Sequence, residues 1–305
     1  MDWLVFAIIA ALLATTYTFF DNYLVDVFFK GRSPQAQKCF FGPAYLLVAI
    51  LLLIFVPMTL TWQNALMLIG AGIMASASYI FYYAALGKDN ATGVTLLEQL
   101  SPIFYLLFGI LLLDQKMDRG QLIGLAVILT VPFIIFCSAK KSSRKTQLKT
   151  IMLMLIKVII SAVVNVLIVK CGAESSFTTV LAYVMLGKGI GDTAMMLVMK
   201  SWRQRFRTVR KREKKSRFFG VLALDCLTWI ASDFIYYIAL TLSPAVAIGS
   251  ATIKALQPIF VFIFGIILTL IWPNFGREKI DRRTVRTHLI ATIVAVTGIA
   301  LMYML

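Results

Sequence analysis

The sequence predicts an all-α integral membrane protein whose ten transmembrane helices form two inverted five-helix repeats. Hydrophobic side chains make up 60% of the 305 residues and charged ones only 14%, an apolar excess that a water-soluble core could not bury. These residues fall in blocks of membrane-spanning length separated by short polar breaks. The second half of the chain also repeats a pattern found in the first.

The apolar blocks predict helices over 3–28, 39–56, 63–86, 91–113, 119–138, 150–170, 177–199, 218–240, 245–270 and 285–304. The first block, from Trp3 to Phe20, is too long for a signal-peptide core and has no basic start, so a cleaved leader is not expected. The breaks are compact: GRSPQAQ at 31–37, KDN at 88–90, DQKMDR at 114–119 and the basic AKKSSRKTQLK at 139–149. They divide the chain into a first repeat (1–138), a basic cytoplasmic linker (139–149) and a second repeat (150–305).

The formal charge of +16 would suggest a nucleic-acid partner in a soluble protein. Its placement argues otherwise, because 24 of the 30 Lys and Arg residues lie in odd-numbered connectors. The even-numbered connectors and the termini hold only Lys116, Arg119 and Lys170. Cytoplasmic connectors carry the excess of Lys and Arg, so both termini are expected outside the cytoplasm. The stretch SWRQRFRTVRKREKKSR at 201–217 interleaves Arg with Trp202 and Phe206. It reads as a basic cytoplasmic loop, with RNA or anionic-lipid binding as the rarer alternative. Cys39, Cys137, Cys171 and Cys226 form no CxxC and have no ligand-like spacing to the single His288, so neither a disulfide framework, a metal site nor a cofactor is expected, and each reads as a buried apolar cysteine.

GVTLLEQLSPIFYLLFGILL at 93–112 aligns without a gap on GSATIKALQPIFVFIFGIIL at 249–268, an offset of 156. Upstream, SYIFYYAAL at 78–86 aligns on SDFIYYIAL at 232–240 with an offset of 154. Five helices per half is an odd number, so the second copy enters the membrane from the opposite side. Inverted repeats of this kind are an architecture of secondary transporters, which bind substrate near the midplane.

The stretch YYAALGKDNATGVTLLEQLSPIFYLLFGILLLDQKMDRGQLIGLAVIL resembles the signature half of an EamA-type transporter, in the drug/metabolite transporter superfamily. The features in common are Ala85-Leu86 closing the third helix, Pro102 in the fourth, the Asp114-Gln115-Lys116 turn and Gly124 in the fifth. The second half repeats Ala239-Leu240 and Pro258 but departs at IWPNFGREKIDRRT, 271–284, which is longer and more basic. The resemblance implies a ten-helix exporter or exchanger for small metabolites or drugs. It also implies cytoplasmic termini, against the orientation expected from the connector charges.

Ionisable groups inside hydrocarbon are costly and tend to face a cavity or a partner. Glu98 and Lys254 occupy equivalent repeat positions, each four residues before its proline, and pseudo-symmetry sets them facing each other. They serve either as an ion pair that a charged or zwitterionic solute breaks, or as a permanent salt bridge; Glu98 is also a candidate proton carrier. Asp225, Trp229 and Asp233 share one helix face at i, i+4 and i+8. Asp233 with Trp229 suits a cationic or amphipathic ligand, whereas Asp225 reads as meeting the basic loop.

Lys157, Ser161 and Asn165 repeat that spacing, and Lys188 with Asp192 lies in GKGIGD, 187–192, where the two can also satisfy each other within one helix; Lys157, Asn165, Lys188 and Asp192, with Asn22, are candidates for substrate binding or coupling. The glycines at 187, 189 and 191 suit close helix packing or a flexible joint better than a phosphate loop. Asp21, Asn22 and Asp26 lie toward the cytoplasmic end of the first helix, where they line an entrance or reach the interface. Tyr79, Tyr82, Tyr83, Tyr236 and Tyr237 read as interfacial anchors, and Pro102 and Pro258 as bends in their helices.

These features together predict a multi-pass secondary transporter, not an enzyme, in the plasma or inner membrane. It would move a small metabolite or drug-like solute by alternating access. Proton coupling and a homodimeric state are left open, and a receptor or scaffold locked by buried ion pairs is the alternative.

Overall fold

A computed structural model describes residues 2–29, 34–55, 60–86, 97–98, 100–138, 144–172, 175–212, 215–271 and 282–304. Eleven α-helices lie within them. They are α1 (Asp2–Tyr23), α2 (Lys38–Phe55), α3 (Trp62–Leu86), α4 (Ser101–Leu113), α5 (Arg119–Ser138), α6 (Arg144–Gly172), α7 (Phe177–Val198), α8 (Lys200–Arg212), α9 (Lys215–Leu242), α10 (Val246–Ile271) and α11 (Arg282–Met304). A π-helical turn (Leu24–Phe28) continues α1, and a 3-10 turn (Pro34–Gln37) leads into α2. Seven of the helices are long and apolar enough to cross a membrane, and three shorter apolar helices, Ser101–Leu113, Arg119–Val131 and Leu289–Leu301, accompany them.

Several boundaries correct the sequence expectation. The basic stretch 201–217 is not a loop over its first part, where it folds as α8. The cause is the spacing of Trp202, Phe206 and Val209, which puts all three on one helical face. Trp202 and Val209 are buried, and Phe206 packs against Phe218 with ring centroids 5.8 Å apart. The basic side chains then cap neighbouring helices: Arg203 donates to the carbonyls of Met196 and Leu197 at the end of α7, and Arg205 donates to the Phe29 carbonyl, 2.8 Å away.

The expected linker over 139–149 is also shortened, because α6 begins at Arg144. Its 29 residues span about 44 Å at 1.5 Å per residue, longer than the ~30 Å hydrocarbon layer, so its basic start extends beyond the apolar slab. In the fourth helix, Pro102 does not bend an interior. It sits in the first turn of α4, where its missing N–H costs nothing. Residues 91–96 and 99 of that expected helix lie outside the described ones, as do 30–33, 87–90, 139–143, 213–214 and 272–281. Pro258 does lie inside its helix, α10. Cys39, Cys171 and Cys226 are buried; the side chains of Asp26, Cys137 and His288 lie outside what is described.

The most extensive helix pairings join the amino-terminal part of the chain to the carboxy-terminal part: α2 on α7, α5 on α11, α1 on α9 and α10, α3 on α6 and α7, and α4 on α6 and α10. With α8 set aside, α1 to α5 can be matched in order to α6, α7, α9, α10 and α11. Under that correspondence α1 on α9 mirrors α6 on α3, α1 on α10 mirrors α6 on α4, and three pairings join a helix to its own counterpart.

Lipid offers no hydrophobic drive between helices, so close backbone approach carries much of the attraction. Ala7, Ala10 and Ala11 on α1 are fully buried, and they belong to one core cluster with Ala247 and Ala251 of α10. At the crossing of α3 and α7, a Cβ at Gly187 would overlap the Ile69 carbonyl and lie 2.9 Å from the Gly72 Cα. At Gly298 of α11, a Cβ would lie 3.0 Å from the Gly124 carbonyl of α5.

Gly187→Val therefore forces backbone against backbone and is expected to cost more than the ~1–3 kcal/mol usual for overpacking. Gly70 has nothing within 4 Å of its Cβ position, so Gly70→Ala is expected to be neutral or slightly stabilising. Thermal unfolding of the two variants in detergent checks this; equal midpoints would contradict the packing account.

Candidate functional site: a charged cavity at the centre of the bundle

Seven of the helices and the helical Leu97–Glu98 pair ahead of α4 enclose a cavity of about 80 Å³. Its walls carry Tyr17 of α1, Ser78 and Tyr79 of α3, Tyr105 of α4, Lys157, Ser161 and Asn165 of α6, Trp229, Ser232, Asp233, Tyr236 and Tyr237 of α9, Lys254 and Gln257 of α10. Glu98, Ser101 of α4 and Lys188 of α7 complete the polar lining.

The charges are arranged in pairs. Lys254 donates to Glu98 at 3.2 Å, so the two equivalent repeat positions do meet. Lys157 reaches the same Glu98 oxygen and lies closer. Glu98 is thus a carboxylate held between two ammonium groups, a three-way contact that the repeat alone does not reveal. Lys188 pairs with Asp233 at 2.5 Å. Aromatic faces line the remaining approaches: the Lys157 ammonium lies 5.5 Å from the Tyr79 ring centroid, and Lys188 lies 5.5 Å from that of Tyr237.

Lys188 and Asp192 are not satisfied within their helix as expected. Asp192 turns away from the cavity to Lys38, 3.1 Å away, and also accepts from Ser76. Flanking glycines bring α2 and α3 close enough for this cross-helix choice: a Cβ at Gly189 would meet Leu46 of α2 at 2.7 Å, and one at Gly191 would meet Ser76 of α3 at 3.0 Å. Lys38, counted with the connector charges, is buried in that pair.

Asn22 lies half-buried on α1 and does not line the cavity. Asp21, one residue earlier, is buried and accepts from Gln37 at 2.6 Å and from the Trp229 indole at 3.3 Å. Asp225 is not at the basic loop but fully buried.

Of the other predicted residues, Asn165 donates to the Tyr105 hydroxyl, which also lies 3.2 Å from that of Tyr236. Trp229 stacks on Tyr17 with centroids 3.9 Å apart. Tyr79, Tyr82, Tyr83, Tyr236 and Tyr237 are not interfacial anchors; Tyr83 and Tyr237 are buried and Tyr79, Tyr236 and Tyr237 face the cavity. The hydroxyls of Tyr83 and Tyr236 have partners inside the bundle, Gln37 and Tyr105, which removes the reason to sit at the water boundary. The repeat held a clue to this: Ser78 with Ser232 and Tyr79 with Asp233 are equivalent positions, and all four line the cavity. Gln257 carries the same signal, since it is equivalent to Ser101 and both line the cavity; Tyr17, one of four polar residues in TTYT, and Tyr105, equivalent to Val261, carry none.

A crystal structure 16% identical to this chain superposes on it with a TM-score of 0.68, covering 100% of this chain and 99% of that one; at that identity it shows a shared fold. No curated protein matches the chain in sequence. Residues 1–137 match the EamA-like transporter family, whose members are membrane transporters and not enzymes. With that match and its apolar helices, the chain is an integral, multi-pass membrane protein that carries, over its first 137 residues, the pattern of the EamA-like transporter family.

Proposed function

We propose that the protein is a secondary transporter that carries a small metabolite or drug-like solute bearing an anionic group, by alternating access to the central cavity. The observation that carries this is the lining: Lys157, Lys188 and Lys254 face Glu98 and Asp233, one positive charge in excess. Buried ionisable groups are expensive and are retained where they serve a pathway. A solute anion can replace Glu98 or Asp233 beside the lysines, so binding exchanges one ion pair for another. Tyr79, Tyr236 and Trp229 supply flat faces for the rest of the molecule.

About 80 Å³ is room for a handful of waters, each needing roughly 10–15 Å³ on this scale. A metabolite therefore enters only when the helices part. The motif repeated at an offset of 156 and the mirrored helix pairings support two inverted halves, 1–138 and 150–305, that rock about the cavity. Export and exchange both use this geometry. The Lys and Arg bias supports termini outside the cytoplasm.

One observation favours the rival reading, a scaffold locked by ion pairs: all three cavity lysines contact a carboxylate. Flux separates the two. In proteoliposomes, a panel of labelled anionic and zwitterionic metabolites is expected to yield uptake by the wild type, lowered at least about tenfold by Lys157→Gln or Lys254→Gln, a loss of about 1.4 kcal/mol. Wild-type vesicles that move no member of the panel, or variants that match the wild type, would favour the scaffold. For orientation, a cysteine added at either end is expected to react with an impermeant maleimide on intact cells, and protection of both ends would reverse the assignment.

A further inference from the structure

Beside the cavity lies a second acidic cluster. Asp225 sits one turn before Trp229 on α9, so the two share a face. Trp229 in turn donates to Asp21. Asp21 is well served, with Gln37 and Trp229 donating to its two oxygens. Asp225 is 0% exposed, and neither carboxylate oxygen has a hydrogen-bond partner. The Gln37 carbonyl oxygen, also 0% exposed, is unpartnered too. Buried acceptor oxygens without a donor are a costly arrangement, and at Asp225 an added proton removes the uncompensated charge.

The neighbouring cations are committed elsewhere. The charges acting on Asp225 are those of Asp21 on α1 and Lys38 at the start of α2, and Lys38 contacts Asp192. Of the other elements packed on α9, α6 and α10 bring Lys157 and Lys254, both on Glu98. From α8, Arg203 and Arg205 donate to backbone carbonyls, and Arg217 of α9 itself donates to Tyr23. Tyr82 and Tyr83 of α3 and Cys226 of α9 are the titratable neutral groups that interact with Asp225.

We propose that Asp225, with Asp21, forms a proton-binding site separate from the Glu98 cluster, and that its ligand is one proton taken up by the pair. Glu98 is poorly suited to that task, because two ammonium groups hold it as a carboxylate. Asp225 is fully buried and does not line the cavity, which favours a bare proton over a hydrated ion as its ligand. Trp229 touches both places: its indole donates to Asp21 while its ring lines the cavity. Proton uptake and solute binding therefore share one side chain, and that coupling rests on the transporter reading; the proton site itself does not.

Infrared difference spectroscopy of the purified protein reads the site without any solute. Wild type is expected to show a carboxylic-acid carbonyl band that is lost as the pH is raised. Asp225→Asn is expected to abolish it, and Asp21→Asn, which removes the neighbouring negative charge, to move its titration to lower pH. Sodium or potassium at fixed pH should leave it unchanged. Because Asp225 has no partner to lose, Asp225→Asn should unfold at or above the wild-type temperature. A band that survives Asp225→Asn, the absence of any titrating band, displacement by sodium, or a clearly less stable Asp225→Asn protein would each overturn the proposal. Failure of transport with the band intact would instead count against the transporter reading alone.

Discussion

A charge placed in hydrocarbon must find an opposite charge, and in this protein that requirement ties the two parts of the chain together. Glu98 precedes α4, yet its partners Lys157 and Lys254 come from α6 and α10. Lys38 begins α2, and its partner Asp192 comes from α7. Breaking such a pair by removing one member costs several kcal/mol, because the other is left buried and uncompensated. The net value of an intact pair is small by comparison. Its effect is to fix which helices face each other.

The packing of small residues makes these pairs geometrically possible. Gly187, Gly189 and Gly191 let α7 approach α3 and α2 more closely than any side chain would permit. Lys188 and Asp192 then point from one helix to two different partners, Asp233 on the cavity side and Lys38 away from it. Close approach also explains why the cavity is narrow. The same contacts that satisfy the lysines draw Tyr17, Tyr79 and Trp229 around them, with the Tyr79 and Trp229 centroids 5.1 Å apart.

Much of the helical layout was legible in the sequence, because apolar blocks bounded by polar breaks leave little choice of secondary structure in lipid. The ends of α2, α3, α5, α7 and α10 fall within a residue or two of the expected positions. The repeat also pointed correctly to the encounter of Glu98 and Lys254. What it could not supply was the third member, Lys157, since a contact between helices depends on rotation about their axes and not on spacing along them. For the same reason Lys188 was matched to the nearest acid in sequence, when its partner was on another helix. The tyrosines were misplaced because a phenol suits both an interface and a buried hydroxyl network, and only the presence of partners decides. In α8 the charge of the stretch outweighed a three-residue apolar stripe that was visible but short.

The account turns on Glu98 as the counter-charge shared by two lysines. The most direct measurement compares the unfolding free energies of Glu98→Gln and the triple variant Glu98→Gln/Lys157→Met/Lys254→Met in one detergent. Glu98→Gln alone leaves two ammonium groups facing each other and is expected to lose about 3–5 kcal/mol, whereas the triple variant, with no buried charge left at that point, is expected to recover most of the loss. A triple variant less stable than Glu98→Gln, with the losses adding, would contradict the shared counter-charge.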